Sequence, residues 1–403
     1  MNRKIRQVTI ASAPLPRATN ANLAPQPGRL RVALVCDWCL PHFGGLELQL
    51  LGAAQALRTA GHTVEIITSS PGPDLLDRIP VHRLGGARLP HFGVTCSPRQ
   101  FQEFRALLRE KSFDVVHVHC SLIAPLAYGC ALIAAQYGVP TALTFHSVYD
   151  YLRPALHLLA RVVGARQLPI AWSAVSGVLA SEAAYALDGA PVAVLPNGID
   201  VEAWRCPPRR RVAGEFRLIS VMRLHVRKRP MALFDILDAA QRAVGSAVKI
   251  SLDIVGDGPG RAAVDGRARS LGGGRVRVHG QLTADAIRTL FGQSDAFLLP
   301  TRLESFGIAA LEARCAGLPV IARRNTGVED FITAARNGLL GDGDKDLAAA
   351  IARLVQDTAL HESIVANNHA TAPPFGWADV VAAMMVLYDR ADHLQATEPA
   401  RRR

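Results

Sequence analysis

Two glutamates eight positions apart, Glu304 and Glu312, are the residues best suited by type and spacing to bind a ligand. The pattern predicts a helix that begins near Phe306 and contains Glu312, which then lies about 12 Å beyond Glu304 at about 1.5 Å per residue. That separation suits a sugar ring at one carboxylate and a ribose at the other. The helix N-terminus at Phe306, Gly307 and Ile308 would meet phosphates through free N–H groups and a partial positive charge. The alternative is a capping glutamate followed by a surface glutamate.

Two cations, Arg223 and Lys228, follow the first apolar strand of the second half of the chain. A guanidinium and an ammonium at one strand end can neutralise a diphosphate. Arg227 and Arg229 are their neighbours, so a solvated basic turn is the alternative interpretation.

Glycines before a predicted helix, at Gly44 and Gly45, would let the backbone approach a phosphate. The motif is not G-x-G-x-x-G, and a plain strand-to-helix turn explains it equally well. Further polar or glycine positions at predicted strand ends are Asn197 and Gly256.

Histidines at two predicted strand ends are candidates for a sugar or phosphate pocket. His117 and His119 share one face of a strand, because side chains alternate along it, and His146 ends the next strand. Packing or solvent contact is the alternative, and no third residue has the spacing of a zinc ligand. Asp342 and Asp344 form a D-x-D pair, which we interpret as a turn and N-cap, so we predict no metal site.

Apolar runs typical of buried parallel strands must position these residues. These runs alternate with helical segments along the chain. Such alternation predicts two doubly wound parallel sheets, and ligands bind at the carboxyl ends of their strands. We therefore expect one cleft between two polar rims. The predicted strands are Leu30–Asp37, Thr63–Thr68, Val115–His119, Thr141–His146, Ile170–Val175 and Val192–Leu195, then Phe216–Val221, Lys249–Val255, Arg275–His279, Ala296–Leu299 and Pro319–Ala322.

A break rich in proline and arginine at 205–215 separates the two halves. We predict an N-terminal Rossmann-like domain over 30–198, a C-terminal one over 199–375, and a last helix, 376–394, that crosses back to the first. Residues 1–29 and 395–403 are predicted to be a disordered leader and tail.

The net charge of +11 suggests nucleic acid, but its distribution argues against that class of partner. Residues 1–29 hold five basic residues and no acid, and 401–403 are three arginines, which leaves only +3 for the rest. A nucleic-acid-binding domain concentrates its basic excess on a folded face. We therefore predict no nucleic-acid partner, although the basic termini can contact anionic membrane.

Composition indicates a folded protein of a reducing compartment. Of the 403 residues 49% are hydrophobic, which excludes a disordered chain, and the cysteine number is odd at seven. Cys36 and Cys39 match C-x-x-C, but we interpret them as unpaired cysteines at a strand end. The longest apolar run, Leu122–Ala135, is too short to span a bilayer and no signal peptide is evident. We expect a cytoplasmic protein, with peripheral contact at the inner face of the plasma membrane. Arg105, Arg109 and Lys111 form either a lipid-facing helix or a solvated face.

These motifs together resemble family 4 of the retaining glycosyltransferases of the GT-B fold, from about Arg31 to Tyr388. The pattern E-x7-E is the most specific of them. The segments that carry the resemblance are Gly44-Gly45-Leu46-Glu47, Asp114-Val-Val-His-Val-His119, Ala174-Val-Ser176, Leu195-Pro-Asn-Gly-Ile-Asp200, Arg223-Leu-x-x-x-Lys228, Val255-Gly-Asp-Gly-Pro259, and Glu304 to Glu312 followed by Ala316-Gly-Leu-Pro-Val320.

The resemblance implies a role for each matching residue. Gly44, Gly45, Arg223 and Lys228 would hold the donor diphosphate, and Glu304 the transferred sugar, assisted by the N–H groups of Gly307 and Ile308. Glu312 would bind the ribose, and His119 would lie beside the sugar or the attacking acceptor. The family has glycine after the lysine, where this chain has Arg229, which leaves the geometry of that loop open.

The resemblance also implies a hexosyltransferase that retains anomeric configuration and uses neither metal nor cofactor, since the nucleotide sugar is a substrate. Its partners would be a UDP-glucose or GDP-mannose type of donor and a glycan or lipid-linked acceptor, among which inositol lipids are one option. Two alternatives keep the fold: a catalytically silent nucleotide-sugar-binding protein and a sugar-nucleotide epimerase. An NAD-dependent oxidoreductase is disfavoured, because no G-x-G-x-x-G follows the first strand of either half.

Overall fold

The computed structural model describes residues 28–41, 44–86, 94–148, 153–272 and 274–401. The predicted leader lies outside the described residues except for Gly28 and Arg29. The chain divides into two units: unit 1 runs to Pro196 and includes the end of the chain from Val381, and unit 2 is Asn197–Val380.

The described residues of unit 1 form a sheet of eight strands in the order β3-β4-β2-β1-β5-β6-β7-β8. All neighbouring strands are parallel except β3 and β4. The strands are β1 Arg31–Cys36, β2 Thr63–Thr68, β3 Leu75–Leu76, β4 Ile79–Arg83, β5 Val115–Cys120, β6 Thr141–Phe145, β7 Ile170–Ala174 and β8 Ala193–Val194. The helices that cover this sheet are α1 Gly45–Thr59, α2 Pro98–Lys111, α3 Pro125–Gln136, α4 Arg153–Val162 and α5 Gly177–Ala186.

Unit 2 has a six-stranded parallel sheet in the order β11-β10-β9-β12-β13-β14. Its strands are β9 Glu215–Val221, β10 Lys249–Val255, β11 Val276–Gly280, β12 Ala296–Leu299, β13 Val320–Arg323 and β14 Gly338–Gly341. Its helices are α6 Val201–Trp204, α7 Ala232–Val244, α8 Arg261–Leu271, α9 Ala284–Phe291, α10 Ile308–Cys315, α11 Asp344–Gln356 and α12 Thr358–Ala370, and α13 Trp377–Arg401 continues from it into unit 1.

Burial on both faces explains why the strands are continuous apolar runs. Every residue from Val32 to Val35 of β1 is fully buried, and β1 lies between β2 and β5 near the middle of its sheet. The register places Cys36 at the end of β1 beside His119 of β5. Side chains at these strand ends are therefore brought together by the sheet itself.

Two details differ from the sequence prediction. Strands β3, β4 and β14 were not predicted, because Ile79–Arg83 contains a proline and Gly338–Gly341 is half glycine. The last helix extends to Arg401, so the prediction of a disordered tail over 395–403 is wrong for 395–401. Gln395 and Ala396 are good helix formers and no glycine follows His393 to end the helix.

The cysteines are free thiols. Cys36 and Cys39 are both buried, at and just after the end of β1. Burial raises the pKa of both thiols, so neither has the exposed, low-pKa character of a reactive cysteine.

Candidate active site

The structure joins two of the predicted site residues of unit 2 directly. Lys228 ends a 3₁₀ turn, Val226–Lys228, that follows β9, and its Nζ donates to Oε2 of Glu304 at 2.6 Å. The Glu304 side chain is only 11% exposed, whereas that of Lys228 is 34% exposed. Oε1 of Glu304 has no donor among the described residues, so this carboxylate can still accept hydrogen bonds from a ligand.

Arg229 fixes the turn that carries Lys228. Its φ of 58° is left-handed, the conformation that glycine adopts most easily, which accounts for the glycine expected at this position. The guanidinium donates to both carboxylate oxygens of Asp344, at 2.8 and 2.6 Å, and to the carbonyl of Pro300 at 3.0 Å. An arginine is therefore accommodated without loss of the turn, and it connects that turn to the segment before Glu304.

Asp344 is an ion-pair partner and not the N-cap that the sequence predicted. Arg323 donates to the same carboxylate at 2.7 Å, and the two guanidinium groups lower the pKa of Asp344 to about 2. The N-cap of α11 is Gly343, whose N–H donates to a carboxylate oxygen of Asp346 at 2.9 Å. The prediction failed because Asp344 and Asp346 lie in the same first turn of α11. Only the distant Arg229 and Arg323 give Asp344 a different role.

The N-terminus of α10 is open. The helix begins at Ile308 and not near Phe306, because Gly307 has a φ of 93° and interrupts the helical conformation. A Cβ on Gly307 would lie 2.7 Å from a methyl group of Val328 and 3.5 Å from Cγ of Glu304. The N–H groups of Gly307, Ile308 and Ala309 have no acceptor among the described residues, and Gly307 offers no side-chain cap. This helix end can therefore receive an anion close to Glu304.

Phe306 can contribute only its backbone to such a site. Its side chain is 1% exposed and packs against Phe331 and Phe375, with ring centroids 5.4 and 5.7 Å away. This aromatic cluster fixes the chain on the N-terminal side of Gly307.

Glu312 lies about one turn into α10, four residues after Ile308. Burial raises the pKa of its carboxyl to about 8. It makes no hydrogen bond or ion pair with any described residue, in contrast to Glu304. A desolvated carboxyl without a partner is a favourable acceptor for the hydroxyl groups of a ligand.

Gly256 and Arg223 lie at the ends of adjacent strands of unit 2. Gly256 has a φ of 131°, and a Cβ there would overlap the carbonyl of Met222, so only glycine allows this close approach. Arg223, the next residue after Met222, is exposed and pairs with none of the described residues. Of the two predicted cations, only Lys228 is held by a carboxylate.

The predicted histidines of unit 1 are in contact. Nδ1 of His119 lies 3.0 Å from Nε2 of His146, and burial lowers the pKa of His119 to about 4 and that of His146 well below its usual range. Both rings are therefore neutral at pH 7. Nε2 of His119 is buried and has no hydrogen-bond partner among the described residues. That nitrogen is an unpaired polar atom in the interior of unit 1.

His117 belongs to a buried chain of hydrogen bonds that the sequence did not predict. Ser173 donates to the carbonyl of Leu143, so its oxygen accepts from Thr144 at 2.7 Å. Thr144 must then accept from Nε2 of His117 at 2.7 Å, which leaves Nδ1 of this neutral ring to accept from the hydroxyl of Tyr388 at 3.0 Å. Counting protons along the chain thus fixes the tautomer of His117. Tyr388 lies 271 residues away on α13, and no local spacing could reveal the pair.

The remaining predicted positions have simpler surroundings. Gly44 is the N-cap of α1 and makes no side-chain cap, and the carboxylate of Glu47 folds back against it. Asn197 is buried at the start of unit 2. The donor-binding roles of Gly44, Gly45, Asn197 and His146 stay predictions.

Neither a metal cluster nor a membrane-spanning helix is found in the part of the chain that the structure describes. No three His, Cys, Asp or Glu residues are arranged there to hold a metal ion. None of the described helices combines the length and the apolar character needed to cross a bilayer.

Comparison with known proteins matches both halves of the chain to models of glycosyltransferase families. Residues 43–203 match "Glycosyltransferase Family 4" and residues 208–371 match "Glycosyl transferases group 1". The chain is 27% identical over 389 residues to the D-inositol 3-phosphate glycosyltransferase of Xylanimonas cellulosilytica, covering 86% of this chain and 92% of that protein. It is 29% identical over 393 residues to the phosphatidyl-myo-inositol mannosyltransferase of Propionibacterium freudenreichii, covering 91% and 97%.

Solved structures show the fold. A glycosyltransferase from Rickettsia africae superposes with a TM-score of 0.71 at 18% identity, covering 91% of this chain and 99% of that one. Two parallel Rossmann-like sheets, a glycosyltransferase model on each half and relatives that span nearly the full length agree with one another. The chain is a glycosyltransferase of family 4, group 1, with the GT-B fold.

Proposed function

We propose that this glycosyltransferase transfers a hexose from a nucleoside-diphosphate sugar of the UDP-glucose or GDP-mannose type to a glycan or lipid-linked acceptor, with retention of configuration and without a metal. The observation that carries the proposal is the Lys228–Glu304 pair beside the open N-terminus of α10. An ammonium, free N–H groups and a carboxylate with a free oxygen lie close together there, although Lys228 is 76 residues from Glu304 in the sequence. These groups match a diphosphate joined to a sugar.

The charges of unit 2 suit the departure of the diphosphate. As the bond from the anomeric carbon to the phosphate oxygen breaks, negative charge develops on the leaving group. Lys228, Arg223 and the N–H groups of Gly307 and Ile308 stabilise that charge, and removal of one such preorganised donor costs about 3 kcal/mol in barrier height. The acceptor oxygen forms the new bond on the same face, and its proton passes to the departing phosphate oxygen.

The two glutamates have different surroundings and so different tasks. Glu304 pairs with Lys228 and accepts hydrogen bonds from hydroxyls of the transferred sugar. Glu312 accepts hydrogen bonds from the ribose hydroxyls. In unit 1, the unpaired Nε2 of His119 binds the sugar or the acceptor.

A metal is not needed to balance the phosphate charge in this proposal. The D-x-D pair is a poor metal ligand, since both carboxylate oxygens of Asp344 already accept from Arg229 and one also accepts from Arg323. Activity is expected to persist in EDTA.

An inositol-containing acceptor is the class that the relatives favour. Two of them are named for D-inositol 3-phosphate and phosphatidyl-myo-inositol. We propose a glycolipid product made at the cytoplasmic face of a membrane, where the enzyme is peripherally bound.

The experiment is a screen of nucleotide sugars by thermal shift, followed by product analysis with the donor that stabilises most. A true donor raises the melting temperature by mass action. With phosphatidylinositol added, we expect a glycosylated lipid and free nucleoside diphosphate, and NMR of the product gives the anomeric configuration. Binding without any release of nucleoside diphosphate would contradict the proposal, as would an epimerised nucleotide sugar formed from donor alone. Glu304→Gln serves as the inactive control.

A further inference from the structure

Helix α4 of unit 1 has its apolar side chains on the outside. Leu158, Leu159, Val162 and Val163, at the end of α4 and just after it, are 65%, 56%, 77% and 53% exposed. They repeat at one helical turn and so form a continuous stripe. Single exposed aliphatic residues are ordinary, but four within six positions are not.

The inner face of the same helix combines the buried Ala160 with polar contacts to α5. His157 stacks on Tyr185 of α5 with ring centroids 5.0 Å apart, and its Nδ1 contacts the carbonyl of Tyr185 at 2.8 Å. The guanidinium of Arg153 lies 5.1 Å from the centre of the same ring. A surface helix ordinarily turns its large apolar side chains inward, whereas α4 leaves those of the stripe outside.

The charge around the stripe is positive. Arg161 and Arg166 are exposed beside it, and the sequence from Arg153 to Ser181 contains no acidic residue. Asp188, which lies 4.0 Å from Arg161, is the acidic partner that the structure places there. An apolar stripe bordered by arginine is the composition of a helix that lies in the interface of an anionic bilayer.

From this exposed stripe and its charge we infer that α4, with the apolar stripe Leu158, Leu159, Val162 and Val163, is the surface through which this protein binds an anionic membrane. A second copy of the chain fits less well. A stable interface needs about 20 residues from each side, and a two-fold contact would bring the arginines of both copies together.

The basic helix α2, which the sequence also suggested as a lipid-facing surface, lacks the apolar component. Phe104 and Leu108 are buried, and Arg109 donates to the hydroxyl of Tyr137 at 2.9 Å. None of its described side chains is both large, apolar and exposed. Helix α2 therefore fits the alternative of a solvated basic face. It serves as an internal comparison for α4.

The inference deepens the proposed function and rests on it for the nature of the acceptor, but its test uses neither donor nor acceptor. The full chain is mixed with phosphatidylcholine vesicles, with or without phosphatidylglycerol, and the bound fraction is measured by flotation. We expect binding to the anionic vesicles. Leu158→Asp/Val162→Asp should weaken it by about tenfold or more, since each buried aliphatic side chain contributes at least that factor.

The control is Leu75→Asp, which places the same charge at a 58% exposed leucine of β3 in the same unit and should bind as the parent does. Circular dichroism melting should show no loss of stability for either variant, because the substituted side chains are more than half exposed. Arg161→Glu/Arg166→Glu should weaken binding to anionic vesicles only, and more at low salt than at high salt.

Equal flotation of Leu158→Asp/Val162→Asp and the parent would overturn the inference. Equal binding of the parent to vesicles with and without phosphatidylglycerol would also overturn it. A parent that sediments as a dimer, and that Leu158→Asp/Val162→Asp converts to a monomer, would assign the stripe to self-association and also overturn it. Donor hydrolysis measured in parallel without vesicles tests the proposed transfer separately, so the two proposals can fail independently.

Discussion

The ammonium of Lys228 lies 2.6 Å from a carboxylate oxygen of Glu304, and this pair is the most informative contact of the candidate site. The two groups form an ion pair, and the carboxylate is the more buried of the two. A bound diphosphate would share the ammonium, since a lysine has three donors and this contact uses one of them. The pair therefore prepares both groups for a ligand that carries phosphate and hydroxyls.

Exchanging the two charges separates a structural role from a role in binding. Lys228→Glu/Glu304→Lys retains an ion pair with the charges exchanged, so the charge balance of this partly buried pair is kept. We expect the melting temperature to stay within a few degrees and the transfer rate to fall by about 100-fold or more, because the phosphate then meets a carboxylate. Steady-state kinetics and thermal melts measure both. An active exchanged variant would assign the pair to stability alone.

Glu312 should make the stability of the protein depend on pH. Burial raises its pKa from 4.5 to about 8 in the folded state, so the folded protein holds one more proton than the unfolded chain between these values. This contribution to stability is fully present below pH 4.5 and is lost as pH rises through 8. In that window the free energy of unfolding should fall by about 1.4 kcal/mol per pH unit on account of this group. Urea unfolding at a series of pH values measures the slope.

Glu312→Gln should flatten that slope and make the protein more stable than the parent at pH 8. The matched control is Glu329→Gln. In the parent, the carboxylate of Glu329 accepts from the N–H of Asn325. It should leave the slope unchanged. An unaltered slope in Glu312→Gln would mean that the carboxyl is hydrated and carries no raised pKa.

The sequence was sufficient for elements whose signal is local. The predicted strand Thr63–Thr68 agrees with the structure at both ends, as do Lys249–Val255 and Ala296–Leu299, because short segments rich in aliphatic residues mark buried parallel strands. The E-x7-E segment was recognised for the same reason, since its spacing is a property of one helix. The start of that helix was misplaced by two residues because a left-handed glycine is indistinguishable from any other glycine in the sequence.

Contacts between residues far apart in the sequence could not be predicted from the spacing of motifs. The Lys228–Glu304 pair spans 76 residues, and the Arg229–Asp344 pair spans 115. Both depend on which strands are neighbours in the sheet. Asp344 resembled a cap because it lies at the start of a helix. In the folded protein its carboxylate instead accepts hydrogen bonds from Arg229 and Arg323.

Arg229 should position Lys228 without touching the ligand. Arg229→Gly retains a residue that adopts the left-handed turn but removes the two bonds to Asp344 and the bond to Pro300. We expect the turn to loosen and kcat/KM for the donor to fall by about tenfold, which corresponds to about 1.4 kcal/mol. The control Arg277→Ala removes another bidentate arginine–aspartate pair of unit 2, that with Asp253, and should leave kcat/KM unchanged. Partial recovery in Arg229→Lys would support positioning, and equal losses in Arg229→Gly and Arg277→Ala would indicate general destabilisation.

Tyr388 should stabilise unit 1 through its bond to His117. Tyr388→Phe retains the buried ring and removes the hydroxyl, which leaves Nδ1 of His117 without a donor in a fully buried place. The expected cost is about 1–3 kcal/mol in the free energy of unfolding. Tyr185→Phe removes a hydroxyl from a half-exposed ring and should cost little. Nitrogen NMR of the histidines gives a second readout: in the parent the proton of His117 resides on Nε2, and in Tyr388→Phe its rotation or a change of tautomer becomes possible. An unchanged stability together with an unchanged spectrum would show that the hydroxyl does not hold the ring.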